Sequence, residues 1–493
     1  MRQQGLRVEF GWWKMSRVEV FDRVLATLLP WSRVITDHIL VIIIRFSPAL
    51  PLSSRLKNRN TMQQVRIFCF LFMLLSFGVA QAQVPTPAPA QSVPIVLRNA
   101  TIHTGTGEVI EKGAIAFSEG KITFVGKDAD FTPSANTQSI DAGGKHIYPG
   151  LILLDTYLGL EEISQVAATQ DQQETGSFNP EVRAIVAYNT DSHLPPTLRA
   201  NGILMAQIVP QGGLVSGTSS VVQLDAWNWE DAAVNMDEGI HFNFPRKMLP
   251  PRWWLNETAS RENKRYKPTL EALETALRDG KAYTEKKGGD TNLKLESMRG
   301  LYDGKKIAYL HVNYAEGIVK GIQILKKYGV KKVVLVGGAE ALYVKDFLKQ
   351  ESIPVVLRNV HSLPYGADKA TEEPYQTPYL LHQAGVTVAL GYSDPMNSRN
   401  LAFFAGTAAA FGMDKEEALQ LITKNAAEVL GLEAHVGTLE IGKEATLLLS
   451  AGDLLDMRGN AVEKAYISGR DISLDDKHKQ LYQKFKQKYE QQK

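Results

Sequence analysis

Residues 95–126 carry apolar residues in short β-rich runs, punctuated by Gly105, Gly107, Gly113, Gly120 and Gly126. Short runs between glycines predict brief antiparallel strands. The same texture returns in 436–443, 445–450 and 462–469. Two β pieces flanking a long middle predict one small β-sandwich domain assembled from both ends, over 95–148 and 433–472. The middle alternates apolar, β-branched runs (203–209, 307–311, 333–336, 355–357 and 386–390) with helical stretches at 315–328, 339–351 and 415–430. That βαβα rhythm predicts an α/β fold with a parallel TIM-type (β/α)8 barrel over 149–432. Residues 229–305 break the rhythm. They are polar, carry Trp253 and Trp254, and read as a helical insertion over one end of the barrel. The lysine- and glutamine-rich stretch 473–493 reads as a solvated terminal helix.

Ahead of the folded part, 62–66 is a short basic head and 67–80 an apolar run of signal-peptide length. Ala80-Gln81-Ala82 supplies a small-x-small cleavage pattern, and 83–94 is a Pro/Ala-rich linker. This predicts a signal peptide over 62–82, a mature chain from about Gln83 and export to the periplasm. Residues 1–61 then read as an over-extended start, with Met62 as initiator. The alternative is a membrane anchor in 34–44 or in the later run, but the earlier run is short and interrupted by Asp37 and His38. No integral membrane domain is expected beyond these.

Composition narrows the chemistry. With 44% hydrophobic and 22% charged residues the chain is an ordinary globular one, and its net charge of +2 gives no global reason to expect nucleic acid as a partner. The single cysteine, Cys69, excludes a cysteine-built zinc site, an iron–sulfur cluster and an internal disulfide. Gly212 to Thr218 is glycine-rich but lacks the lysine and spacing of a phosphate loop. His103 and His146 fall in the sheet domain and read as structural.

Several motifs, in order, resemble the amidohydrolase superfamily and within it the imidazolonepropionase-like branch. At the start these are Asn99-Ala100-Thr101-Ile102, Gly120-Lys121-Ile122, Asp141-Ala142-Gly143-Gly144-Lys145 and Tyr148-Pro149-Gly150-Leu151-Ile152. Towards the end they are Gly391-Tyr392-Ser393-Asp394, Thr423-Lys424-Asn425-Ala426-Ala427 and Gly437 to Ala445. The resemblance covers about 93–469. It implies a metal-dependent hydrolase of C–N bonds, mostly non-peptide amides or cyclic amides, with its site at the C-terminal mouth of the barrel and zinc or another divalent metal as cofactor.

The same resemblance exposes a departure. The family places His-x-His after the first barrel strand, where two residues on one face of a strand reach one cation. Here Tyr157 and Gly159 stand at those two positions. His311 matches the family's ligand ending the fifth strand, and Asp394 matches its metal-binding aspartate and general base. The sixth-strand histidine is replaced by Gly337-Gly338. His311 reads equally well as a histidine capping a strand, and Asp394 as a turn aspartate before Pro395. Glu161, Glu162, Asp171, Glu174 and His361 are further loop candidates, Glu161 and Glu162 also suiting the first turn of a solvated helix.

Three readings stay open at this point. One is a hydrolase with a modified metal centre and Asp394 as base. Another is a catalytically silent protein that binds a small molecule, as a homo-oligomer or as the partner of an intact relative. The third is a metal-free hydrolase using Asp394 and His311, for which no nucleophile or oxyanion site is evident.

Overall fold

Glycine-punctuated alternation at the start becomes five strands: β1 (Ile95–His103), β2 (Val109–Ser118), β3 (Lys121–Lys127), β4 (Gln138–Asp141) and β5 (His146–Pro149). Three more arrive from the far end, β16 (Leu447–Ser450), β17 (Val462–Ile467) and β18 (Arg470–Asp471). The computed structural model describes residues 86–286, 290–358, 360–366 and 368–491. The expected signal peptide, the segment before it and Cys69 lie outside the described residues. The strands of both ends hydrogen-bond as one eight-stranded sheet in the order β18-β17-β16-β5-β1-β2-β3, with β4 alongside β1. On a flat sheet β2 and β17, four spacings apart, would be about 19 Å from each other. Yet the rings of Phe117 and Tyr466 meet edge to face at 5.0 Å, and Ile122 donates its N–H to the Lys443 carbonyl at 2.9 Å. The sheet is therefore rolled over a single apolar core that includes Leu97, Ile115, Phe117, Ile147, Leu447 and Tyr466.

The barrel comprises β6 (Leu151–Thr156), β7 (Ile203–Ile208), β8 (Val215–Gln223), β9 (Ala233–Asn243), β12 (Ile307–Val312), β13 (Val333–Gly337), β14 (Val355–Arg358) and β15 (Val388–Gly391). They close in the order β12-β13-β14-β15-β6-β7-β8-β9. The expected parallel barrel needs one correction: β8 runs against both neighbours. The reason is loop length. Parallel neighbours need a crossover of about a dozen residues or more, and only 209–214 separates β7 from β8. Gly212 and Gly213, both at positive φ (80° and 66°), turn the chain back there.

A second correction concerns 229–305. Rather than lying over the barrel as a helical insertion, this segment contributes β9, a barrel wall strand. It also carries a two-stranded hairpin, β10 (Met248–Leu249) with β11 (Arg261–Glu262), and the helix Tyr266–Glu285. That helix buries Leu273 and Leu277 in the main core. Within it, β9 points the polar side chains of Glu238 and His241 into the barrel, as described below, while most polar residues after β9 are exposed.

Inside the barrel, Ile152, Leu154, Met205, Val334, Val336, Val356 and Ala389 pack against Ala426, Ala427, Val429 and Leu430. Asn425 donates to the carbonyl of Val388, the first residue of β15, at 2.8 Å, so this helical segment closes the barrel at its N-terminal end. Only the opposite mouth is left for chemistry.

Sheet and barrel are joined by buried polar contacts. His103 Nδ1 meets Glu416 Oε1 at 2.7 Å, and its Nε2 meets His146 Nδ1 at 3.0 Å. Asp225, fully buried, pairs with Arg199 and with Arg470 at 3.0 Å each and accepts the Ala88 N–H at 2.8 Å. Removing one partner of a buried ion pair strands the other charge, at a cost of about 3–5 kcal/mol. Asp225→Ala should destabilise the protein by about that much in urea unfolding; a change too small to resolve would mean that the two arginines relax to solvent.

Candidate active site

The barrel mouth gathers four side chains from four strands. Asp155 comes from β6, His241 from β9, His311 from β12 and Arg358 from the last residue of β14. All sit at or near the C-terminal ends of their strands. His311 and Arg358 face inward by ordinary strand alternation, following the interior residues Tyr309 and Val356.

Asp155 gets there differently. The interior positions before it are Ile152 and Leu154, so plain alternation would point Asp155 outward. Instead it adopts φ 59°, and the pairing of β6 with β7 slips between Leu153 and Thr156. Such a bulge re-aims a side chain. The left-handed conformation costs roughly 1–2 kcal/mol, least for Asp and Asn among non-glycine residues. Two contacts hold it: Gln207 Oε1 accepts the Asp155 N–H at 3.1 Å, and the carboxylate pairs with the Arg358 guanidinium.

His241 owes its seat to a missing side chain. A Cβ at Gly239 would lie 2.2 Å from Tyr309 Cε2. With glycine there, the Tyr309 ring lies inside the barrel and stacks on His241 at 4.6 Å between centroids. Its hydroxyl donates to Glu238 Oε2 at 3.0 Å, while Gln207 and Ser219 donate to Oε1 at 2.9 and 2.6 Å. Burial pushes the Glu238 carboxyl up, against these hydrogen bonds, which lower it. The floor beneath the four residues is thus a satisfied polar network, which fixes a unique arrangement.

Hydrogen bonding assigns the tautomers. Arg358 Nη2 donates to His311 Nδ1 at 2.6 Å, so that nitrogen carries no proton. His311 Nε2–H then donates to His241 Nδ1 at 2.7 Å, which leaves the His241 proton on Nε2. This last N–H is buried with no partner among the described residues. Burial, with the Arg358 charge next, holds both imidazoles well below the usual histidine range. Burial likewise raises the Asp155 carboxyl, with Arg358 opposing. Both histidines are therefore neutral, and the cluster's cation is the guanidinium.

Asp155, His241 and His311 are also a candidate metal-binding cluster, since each offers a ligand atom and these lie within 4.8 Å of one another. Three protein ligands suffice for a catalytic zinc. As arranged, however, the set does not fit a cation. Arg358 holds the Asp155 carboxylate and His311 Nδ1, and the two imidazoles spend two further nitrogens on each other. Placing a dication about 4 Å from the guanidinium would add about 8 kcal/mol of repulsion at an effective dielectric constant of 20.

The residues expected from the sequence divide between two places. His311 is in the cluster. Asp394 is not: it caps the helix Pro395–Ser398, its Oδ1 accepting the N–H groups of Met396 and Asn397 and its Oδ2 the Asn397 side chain. Asp394 and Tyr157 share a separate cleft of about 540 Å³ with Glu161, Glu162, His193 and His478. Gly159 has φ 69°, and a Cβ there would stand 2.7 Å from the Tyr188 ring. Among the other loop candidates, His361 meets Thr407 at 2.6 Å, and Glu174 is turned onto Thr175. Asp171 donates its backbone N–H to the Leu160 carbonyl at 2.7 Å.

Asp155, His241 and Arg358 escaped sequence reasoning. The strict alternation Gly239-Ile240-His241-Phe242-Asn243 was the signal that could have found His241. A smaller cleft of about 180 Å³ opens on Arg358, bordered by Asn313, Gly337, Tyr365, Glu373 and Thr377.

A closed barrel with its polar cluster at the C-terminal mouth, flanked by a sheet built from both ends, defines a class of barrel proteins whose chemistry sits at the strand ends. Comparison with known proteins specifies it. The amidohydrolase family model matches residues 251–472. Imidazolonepropionase from Agrobacterium fabrum is 25% identical over 385 residues, spanning 71% of this chain and 87% of the relative. The Mesorhizobium japonicum imidazolonepropionase is 24% identical over 392 residues, 72% and 91% of the two chains. The crystal structure of an amidohydrolase from Thermotoga maritima superposes with a TM-score of 0.67 at 26% identity, covering 76% of this chain and 99% of that one. The chain is thus similar to the amidohydrolase superfamily, and within it to imidazolonepropionases.

Restoring the family's histidine pair tests whether its loss is local. Gly159→His must place a side chain at positive φ against Tyr188, so Tyr157→His with Gly159→His should lose about 2–4 kcal/mol of stability and gain no zinc affinity by calorimetry. A stable double variant that binds zinc would show that only two ligands had been lost.

Proposed function

We propose that this protein is a catalytically silent amidohydrolase that binds a small molecule at a barrel mouth organised by an arginine in place of a metal. The observation that carries the reading is the seat of Arg358 between Asp155 and His311. One fixed positive charge neutralises the buried carboxylate and orients both imidazoles, which are the tasks a divalent ion has in a working member of the superfamily. A guanidinium cannot polarise water as a Lewis acid does, so the site keeps its shape without the means to activate a nucleophile. Asp394, the expected base, is engaged as a helix cap. The cleft beside Arg358 offers polar groups from Asn313, Tyr365, Glu373 and Thr377 for recognition.

We also infer export to the periplasm. The apolar run 67–80, followed by Ala80-Gln81-Ala82 and a Pro/Ala-rich linker, supports a cleaved signal. Among the described residues no helix is long and apolar enough to cross a membrane.

The second reading is a single-metal hydrolase. It is favoured by the compactness of the Asp155, His241, His311 trio and by His241 Nε2, which has no partner among the described residues. It requires Arg358 to swing away and His241 to turn over its proton.

Elemental mass spectrometry separates the two. The protein purified without chelators and incubated with excess zinc should retain none above background. Arg358→Ala should bind close to one equivalent, lost again when His241→Ala is added. One equivalent of zinc in the wild type, abolished by His241→Ala or His311→Ala, would establish the metal centre instead.

A further inference from the structure

The helix Lys477–Glu490 buries none of its residues. Its sequence is nonetheless ordered around the helix axis. At 100° per residue, His478, Leu481, Tyr482, Phe485 and Tyr489 fall on one stripe about 100° wide. Lys477, Lys484 and Lys488 border the stripe on one side, and Lys479 and Lys486 on the other. Gln480, Gln483 and Gln487 occupy the far face. Tyr482, Phe485 and Tyr489 are 63%, 48% and 60% exposed. The start of the helix is fixed to the body: Asp476 caps it through His478 N–H and Lys479 N–H at 2.6 and 3.0 Å, and His478 and Leu481 line the cleft that holds Tyr157 and Asp394. The aromatic part beyond that first turn has no described covering.

Charge is divided as sharply. Residues 477–493 contain six lysines and one glutamate, whereas 83–476 carry ten more acidic than basic residues. The terminal segment is thus a basic arm on an acidic body.

We propose that this helix docks the protein onto an anionic phospholipid surface. Lysines at the edges of an apolar stripe can lay their methylene stems along it and reach headgroup phosphates, while glutamines face water. Tyrosines suit the interface because each ring is apolar with a polar tip. Each lysine at a negatively charged leaflet adds about fivefold to partitioning. Pairing of two such helices from separate copies would bring ten flanking lysines together across one seam, and the acidic body repels an anionic surface everywhere except through this arm.

Vesicle sedimentation of the full chain decides it. The protein should pellet with vesicles of phosphatidylcholine and phosphatidylglycerol but not of phosphatidylcholine alone, and release should follow addition of 0.5 M salt. Phe485→Ala with Tyr489→Ala, and separately Lys484→Glu with Lys488→Glu, should each lower binding at least tenfold while leaving the thermal melt unchanged, because the helix buries nothing. No pelleting with either vesicle would overturn the proposal. So would binding that the variants do not reduce, or a light-scattering dimer in lipid-free buffer that Phe485→Ala with Tyr489→Ala dissolves, which would assign the stripe to a second copy.

Discussion

The contact between Arg358 and Asp155 is the constraint on which the mouth of this barrel depends. Asp155 is buried, stands in a left-handed conformation and interrupts the pairing of β6 with β7. An unpaired carboxylate in that position would be expelled or protonated. The guanidinium opposes both and, through its second nitrogen, sets the protonation of His311 and then of His241. One cation therefore fixes the geometry of three neighbours that otherwise look like metal ligands.

The neighbouring departures from the superfamily pattern agree with this arrangement. Gly159 cannot accept a histidine without displacing Tyr188, and a Cβ at Gly337 would lie 2.5 Å from Asn313 Oδ1. Positions that would carry ligands are thus packed by other side chains, in keeping with the proposed arginine-centred mouth. The scaffold is of the ordinary kind: a rolled sheet and a barrel whose floor is closed by a helical segment. Function can reside in a few side chains on a common framework, so such a fold does not by itself fix the chemistry.

How much of this could be read from the sequence follows from what dictates each part. The sheet domain was legible because glycine-punctuated β-rich runs follow backbone rules, and the two ends of the barrel because Tyr148-Pro149-Gly150 and Gly391 to Asp394 resemble a known family's motifs. The strand β9 was not, because its inward residues Glu238, Gly239 and His241 are polar or absent as side chains, and the apolar rhythm that marks a barrel strand breaks there. The reversal of β8 lay in a loop too short for a crossover, a geometric fact that composition hides. Of the site, His311 was found because it matches the family's ligand at the end of the fifth strand, where ordinary alternation also puts it inside. Asp155 was missed because its inward aim depends on φ 59°, which no pattern of residue types announces. Arg358 was missed because its role exists only where four strands meet.

Whether Arg358 occupies the place of a metal is tested most directly by anomalous diffraction at the zinc edge. Crystals of the unmodified protein grown with millimolar zinc should show no anomalous peak among Asp155, His241 and His311, with the guanidinium seated between Asp155 and His311. A full-occupancy peak bonded to those three side chains, with Arg358 turned out of the mouth, would contradict the account and return the protein to the metal-dependent hydrolases.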